Sequence, residues 1–167
     1  MTFVTDGFAA LVHLIKARMC TLEDYVRDCM FRQRQEEILA KATEVLRKEH
    51  DAILKMIEAT EITAARLERG EKVPDSMLAG LIEFFQLFAD RCHHGKEEEI
   101  FFPRLVEKGM PRDGGPVGVM LHEHEMGRDL IRRMSQAEGA YRAGAPSAAL
   151  SWAQAARSYS ALLREHI

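Results

Sequence analysis

Three breaks rich in Gly and Pro divide this 167-residue chain, and between them apolar residues recur every three or four positions rather than every second one. The breaks are Arg69-Gly70-Glu71-Lys72-Val73-Pro74, Lys108-Gly109-Met110-Pro111-Arg112-Asp113-Gly114-Gly115-Pro116 and Tyr141-Arg142-Ala143-Gly144-Ala145-Pro146. Each holds a glycine where a helix stops and a proline where the next begins. This punctuation predicts four long helices, at about 35–69, 76–107, 117–141 and 147–167. No segment alternates like a half-buried strand. Short connections between long amphipathic helices favour antiparallel neighbours, so the expected fold is all-α, an up-down-up-down four-helix bundle.

Residues 1–34 are extra to that count. Phe8, Leu11, Val12 and Ile15, then Leu22, Tyr25, Val26, Cys29 and Met30, fall at helical spacing, and Thr21 with Asp24 resembles a capping box between two pieces. The expected division is an N-terminal helical extension, 1–34, and a bundle domain, 35–167. The extension reads equally as a docking arm, as a contact for a homo-oligomer or as a poorly ordered tail.

Apolar residues make up 47% of the chain and charged ones 29%, enough to build a core and too apolar for disorder. The net charge of −3 argues against nucleic acid or an anionic membrane surface as the main partner. The apolar stretches fall far short of the ~20 residues that a bilayer span needs. The N-terminus has no basic region, Asp6 and His13 interrupt its apolar part, and Cys20, Cys29 and Cys92 are an odd set without a CxxC pair. Together these point to a reducing, cytoplasmic setting.

The expected core stripes are Ile38, Val45, Leu46, Ile53 and Ile57 on helix one and Leu78, Leu81, Phe84, Phe85, Phe88 and Ile100 on helix two. Helix three offers Val117, Met120, Leu121 and Ile131, and helix four Trp152, Ala155, Tyr159, Leu162 and Leu163. Each stripe is interrupted by a histidine: His50, His93, His124 and His166 in turn. Glu97 follows His93 by four residues and therefore shares its face. Inward-facing imidazoles and a buried carboxylate are costly unless something pairs them.

Residues equally far from a hairpin loop lie at equal height. His50 and His93 are about equally distant from the first break, and so are His124 and His166 from the third, to within a few ångströms at ~1.5 Å per residue. The second break, longer and richer in proline, fits less well. His50 to His93 spans 43 residues and His124 to His166 spans 42, so the second half reads as a copy of the first. Histidine and carboxylate donors without a thiolate pair suit iron, manganese or zinc better than copper(I), and a carboxylate that bridges favours two ions over one. Glu49, Glu123 and Glu165 each precede one of the histidines. Adjacent residues do not share a face, so each either backs a histidine on the next helix or faces solvent, the commoner fate of such a residue.

Cys92-His93-His94-Gly95-Lys96-Glu97-Glu98-Glu99-Ile100-Phe101-Phe102-Pro103 resembles the HHxKEExxLFP signature of the hemerythrin-like HHE cation-binding family. Residues 115–128, Gly-Pro-Val-Gly-Val-Met-Leu-His-Glu-His-Glu-Met-Gly-Arg, resemble its GPIxVMxxEHExGR segment. Lys48-Glu49-His50 and Glu165-His166 look like its first-helix and fourth-helix elements. The resemblance covers about 35–167. It implies a four-helix bundle with a non-haem centre of two irons per chain, held by His50, His93, Glu97, His124 and His166. His94 sits where some members place an additional ligand. By the same comparison His122 falls on a variable position, Glu98 is either an outer acceptor or solvated, Cys92 is a small core residue, and His13 has no counterpart.

The family usually repeats HxxxE in helix four, so a second bridging Glu is expected beyond Ile167. The His-x-x-x-His of oxygen carriers is absent from helix three, where Met126 stands four residues after His122. The resemblance implies binding of dioxygen, nitric oxide or peroxide, or a part in iron handling or sensing, behind an apolar shell of Phe85, Phe88, Trp152 and Leu163. Two other readings are a di-iron oxidase or peroxidase-like enzyme and a metal-free helical interaction module. No nucleophile–base motif or phosphate-cradling loop supports a hydrolase or a kinase.

Overall fold

The computed structural model describes Gln33, Arg34, Glu37 and residues 40–167. The expectations for 1–32 and for Ile38 lie outside the described residues. Contacts divide the chain at Glu44/Val45, and Val45–Ile167 forms one compact unit. Every element among the described residues is helical. None of their helices is long and apolar enough to cross a membrane.

Helix α1 covers 45–68 of this unit. The second rod, α2, is α-helical over Asp75–Phe84, widens to π-helix over Phe85–His94 and again over Glu97–Phe101, and ends as α-helix over Phe102–Glu107. Helix α3 is Pro116–Arg142 and α4 is Ala148–His166. The three breaks close α1, α2 and α3 in the same way. Gly70, Gly109 and Gly144 take positive φ of 74°, 97° and 79°. The next amide, of Glu71, Met110 or Ala145, bonds back to the carbonyl five residues earlier at 3.0 Å. A side chain at those φ values would be strained, so glycine sets where each rod ends.

Side-chain pairs show how the rods run. On α4 and α1, Arg164 bonds Glu61 and Arg157 bonds Glu68, so seven steps back along α4 match seven steps forward along α1. On α2 and α3, Gln86 meets Ser135, Asp90 meets Arg128, and Glu98 meets His124. Both pairs of rods are therefore antiparallel where they touch. Tyr141 ties the first break to the end of α3, its hydroxyl donating to the Val73 carbonyl at 2.8 Å.

The apolar core fills the end of the bundle near Tyr141, with Leu67, Leu78, Met134 and Trp152 buried, and continues through Ile57, Phe85 and Tyr159 toward the histidines. On α1 the buried stripe is Leu46, Ile53, Ile57, Thr60, Ala64 and Leu67, a strict three-and-four spacing. Val45 lies one step outside that stripe and is 47% exposed, contrary to the expectation. Ile100 is 59% exposed, also contrary to it. The cause is the π-helical widening, which turns fewer degrees per residue than an α-helix and so carries Ile100 off the face of His93. Pro103 explains the second widening. It has no N–H for Glu99 and its ring would strike that carbonyl in a regular α-turn, and the wider turn just before it relieves both problems.

Candidate metal centre

The six histidine and carboxylate residues singled out from the sequence converge at the other end of the core. Donor atoms of His50, His93 and Glu97 lie within 4.8 Å of one another, and so do donor atoms of His94, Glu97, His124 and His166. Glu97 belongs to both groups. His93, His94, Glu97 and His124 are no more than 3% exposed, His166 is 8% exposed and His50 is half-buried. His93 and His94 are neighbours in sequence, yet both point inward from the π-helical stretch of α2, one toward each group. His94 is thus an equal member of the cluster and not an accessory to it. His122 is exposed. Cys92, expected in the core, is exposed because it faces outward one step before His93.

Three carboxylates hold the rings from behind. Glu49 on α1 accepts from His93 Nδ1 on α2 at 3.0 Å. Glu98 on α2 accepts from His124 Nδ1 on α3 at 2.7 Å. Glu123 on α3 accepts from His166 Nδ1 on α4 at 2.8 Å. Each of the first three rods therefore orients a histidine on the rod that follows it. Glu165 is exposed. Glu49 is itself held by Lys96, which donates to its other oxygen. Burial works to raise the Glu49 pKa, but its bonds to Lys96 and His93 outweigh this and leave it lowered. An ionised carboxylate only accepts, so each of these Nδ1 atoms carries the hydrogen and each Nε2 is left to face inward.

The inward atoms have too few partners among the described residues. His124 Nε2 lies 3.2 Å from His166 Nε2 and 3.2 Å from Glu97 Oε2. With Nδ1 protonated, these are lone pairs facing lone pairs unless a positive charge, a proton or a metal ion, sits among them. His50 Nε2, His93 Nε2 and Glu97 Oε2 are buried without a hydrogen-bond partner among the described residues. Asp90 comes within 3.5 Å of His94 Nδ1 but does not bond to it. Donors about 2.1 Å from one ion at tetrahedral or octahedral angles stand about 3.0–3.4 Å apart, and the 3.2 Å contacts fall in that range. The donors present therefore fit a cation that prefers nitrogen and carboxylate oxygen.

The electrostatics agree. Burial, then the neighbouring His93, lowers the His50 pKa. His94 is pushed down to about 2 by burial and then by His124 and His93, so its ring stays neutral, the form that binds a metal. Burial would raise the Glu97 pKa, but the contact with His124 and the nearby rings of His93, His124 and His166 outweigh it and hold the carboxyl below its ordinary range.

The profile of the hemerythrin HHE cation-binding domain matches residues 41–167. This chain belongs to the hemerythrin HHE cation-binding family. No curated protein and no solved structure gives a significant match. As a member of that family the domain binds cations, and the histidine–glutamate cluster is where its donors meet.

The expected apolar shell needs correction at one position. Trp152 lies fourteen residues before His166, about 21 Å along α4, and packs the opposite end of the bundle. Phe102, not foreseen, lies against the cluster instead, stacked on His124 at 5.9 Å. Asp90, Lys96 and Arg128 were also not foreseen. The signal available for the backing carboxylates was the spacing of Glu49 to His93 and Glu123 to His166, 44 and 43 residues, one more than the corresponding histidine pairs.

Proposed function

We propose that this hemerythrin HHE domain is a non-haem di-iron protein that binds dioxygen, nitric oxide or peroxide, or holds iron for handling or sensing. The observation that carries this reading is that Glu97 is shared by two donor groups, an arrangement suited to two ions and superfluous for one. In this reading His50 and His93 would hold one iron, His94, His124 and His166 would hold the other, and Glu97, common to both donor groups, would serve both and offset their charge. The antiparallel pairs support an up-down-up-down bundle. We take that bundle as 35–167, preceded by the 1–34 extension, and place it in the reducing cytoplasm.

A pair of irons supplies reversible one-electron chemistry and a coordination position open to a small ligand. The chain's own residues do the rest. Glu49, Glu98 and Glu123 fix which nitrogen of His93, His124 and His166 is presented. Among the described residues the group around His50 and His93 offers three donors and the other four. His50 is also the most exposed of the five clustered histidines, which places solvent access on that side. Phe102 closes the side of His124 against water.

Elemental analysis of anaerobically purified protein tests this. About two irons per chain is the expected result. No iron, and a melting temperature unchanged by added ferrous ion, refutes it in favour of a metal-free helical module. Stoichiometric uptake of a gas without turnover supports a carrier or sensor, and sustained peroxide or dioxygen consumption supports an oxidase.

A further inference from the structure

Arg128 on α3 is one turn past His124 and a quarter exposed. Its guanidinium serves three carboxylates at once: Nε donates to Asp90 Oδ1 at 2.8 Å, Nη2 to Glu98 Oε1 at 2.7 Å and Nη1 to Glu125 Oε1 at 2.6 Å. Glu98 Oε1 is the same atom that accepts from His124 Nδ1. One oxygen thus sits between a guanidinium and an imidazole, and its position depends on both. Asp90, the second carboxylate in the fork, is the one 3.5 Å from His94 Nδ1. Asp90 and Glu98 are eight residues apart on α2, on either side of the histidine pair and Glu97. A planar fork of fixed geometry can hold two such carboxylates in register across the gap between α2 and α3, which a single ammonium cannot do.

We propose that Arg128 is a positioning residue for one half of the cluster: by clamping Glu98 and Asp90 together it fixes the orientation of His124 and the carboxylate beside His94. Without it Glu98 is free to swing to solvent, and the His124 ring loses the acceptor that keeps Nδ1 protonated and Nε2 turned inward. The other half is held separately, through Lys96, Glu49 and His93, so the effect is confined to the His94–His124–His166 group. The clamp itself is a property of the protein alone. Its consequence for cation binding rests on the metal-site reading above.

The test uses the full chain with Arg128→Met, the milder Arg128→Lys, which retains the charge and guards against misfolding, and Arg157→Met as control. Arg157 makes a comparable two-bond pair with Glu68 between α4 and α1, away from the cluster. The first readout is solvent exchange of the His124 Nδ1–H proton by NMR in metal-free protein. Both Arg128 variants are expected to speed it at least about tenfold, the equivalent of one charged hydrogen bond, while Arg157→Met leaves it unchanged. Exchange unchanged in both Arg128 variants, or equally accelerated by Arg157→Met, overturns the proposal. The second readout is cobalt(II) titration, where Arg128→Met is expected to weaken one equivalent about 10–100-fold and spare the other. Equal weakening of both equivalents, or of neither, also overturns it. Wild-type protein that takes up no cobalt would count against the metal-site reading, while proton exchange still decides the role of Arg128.

Discussion

Glu123 on α3 accepts a hydrogen bond from Nδ1 of His166 on α4 at 2.8 Å, although Glu123 sits next to a different histidine of the cluster, His124. The same offset recurs in the first half, where Glu49, next to His50, backs His93. In a helix, neighbours in sequence point about 100° apart, so a Glu-His pair sends its histidine to the core and its glutamate along the seam toward the following rod. On α1 and α3 one Glu-His pair therefore supplies both a cluster residue and an outer support for the next rod.

Removing such a support should weaken the cluster without unfolding the bundle. Glu123→Ala and Glu49→Ala are each expected to lower cation affinity about 10–100-fold. Competition against a chelator of known affinity measures this, with circular dichroism as the check that helicity is retained. Affinities equal to wild type would show that the carboxylates are bystanders.

Glu97 should matter more than any one histidine. A His93→Ala, Glu97→Ala double variant is expected to abolish iron uptake while the fold persists, since the apolar core extends from the cluster to the Tyr141 end of the bundle and neither side chain belongs to it. Retained iron in that variant would refute the ligand assignment.

Acid should destabilise the metal-free protein before ordinary carboxylates titrate. His94 is held at about 2 in the folded state, first by burial, and burial also pushes His50 down. Unfolded histidine titrates near 6.5. As pH falls below about 6.5 the unfolded chain takes up protons that the folded chain refuses, so stability present above that pH is lost progressively toward about 2. The lowered Glu97 carboxyl adds to the loss in the same direction at lower pH. Between pH 7 and pH 5 the His94 share is on the order of 2 kcal/mol. Denaturant melts in the presence of chelator should show this fall, and His94→Leu should flatten it.

Tyr159 offers a contrast in the core. Its ring is fully buried, packs edge-on against Phe85 at 4.7 Å, and its hydroxyl has no hydrogen-bond partner among the described residues. Burial pushes its pKa well above the usual phenol range. Tyr159→Phe is therefore expected to leave metal-free stability unchanged or raise it by up to about 1 kcal/mol, because the lost hydroxyl bonds to nothing. Tyr159→Ala should cost about 3–5 kcal/mol through the cavity it leaves. Urea unfolding of both variants separates packing from polarity.

The helices and their ends were legible in the sequence because they are local: periodic apolar residues make the rods, and Gly70, Gly109 and Gly144 stop them. The convergence of His50, His93, Glu97, His124 and His166 was legible because hairpin geometry turns sequence distance into height. What escaped depends on departures from regular geometry or on contacts between rods. The π-helical widening of α2 brings His94 inward beside His93 and turns Ile100 out, and no 3.6-residue pattern anticipates it. Arg128, Asp90 and Lys96 read as ordinary surface charges until the rods are docked. Their roles follow from which carboxylate each one reaches.

A shared carboxylate predicts two ions that sense each other's electrons. Metal-free protein titrated with ferrous ion under anaerobic conditions, oxidised and followed by magnetic susceptibility, should bind two irons per chain and show antiferromagnetic coupling between them. A single iron, or two that behave as isolated paramagnets, would contradict the placement of Glu97 between them.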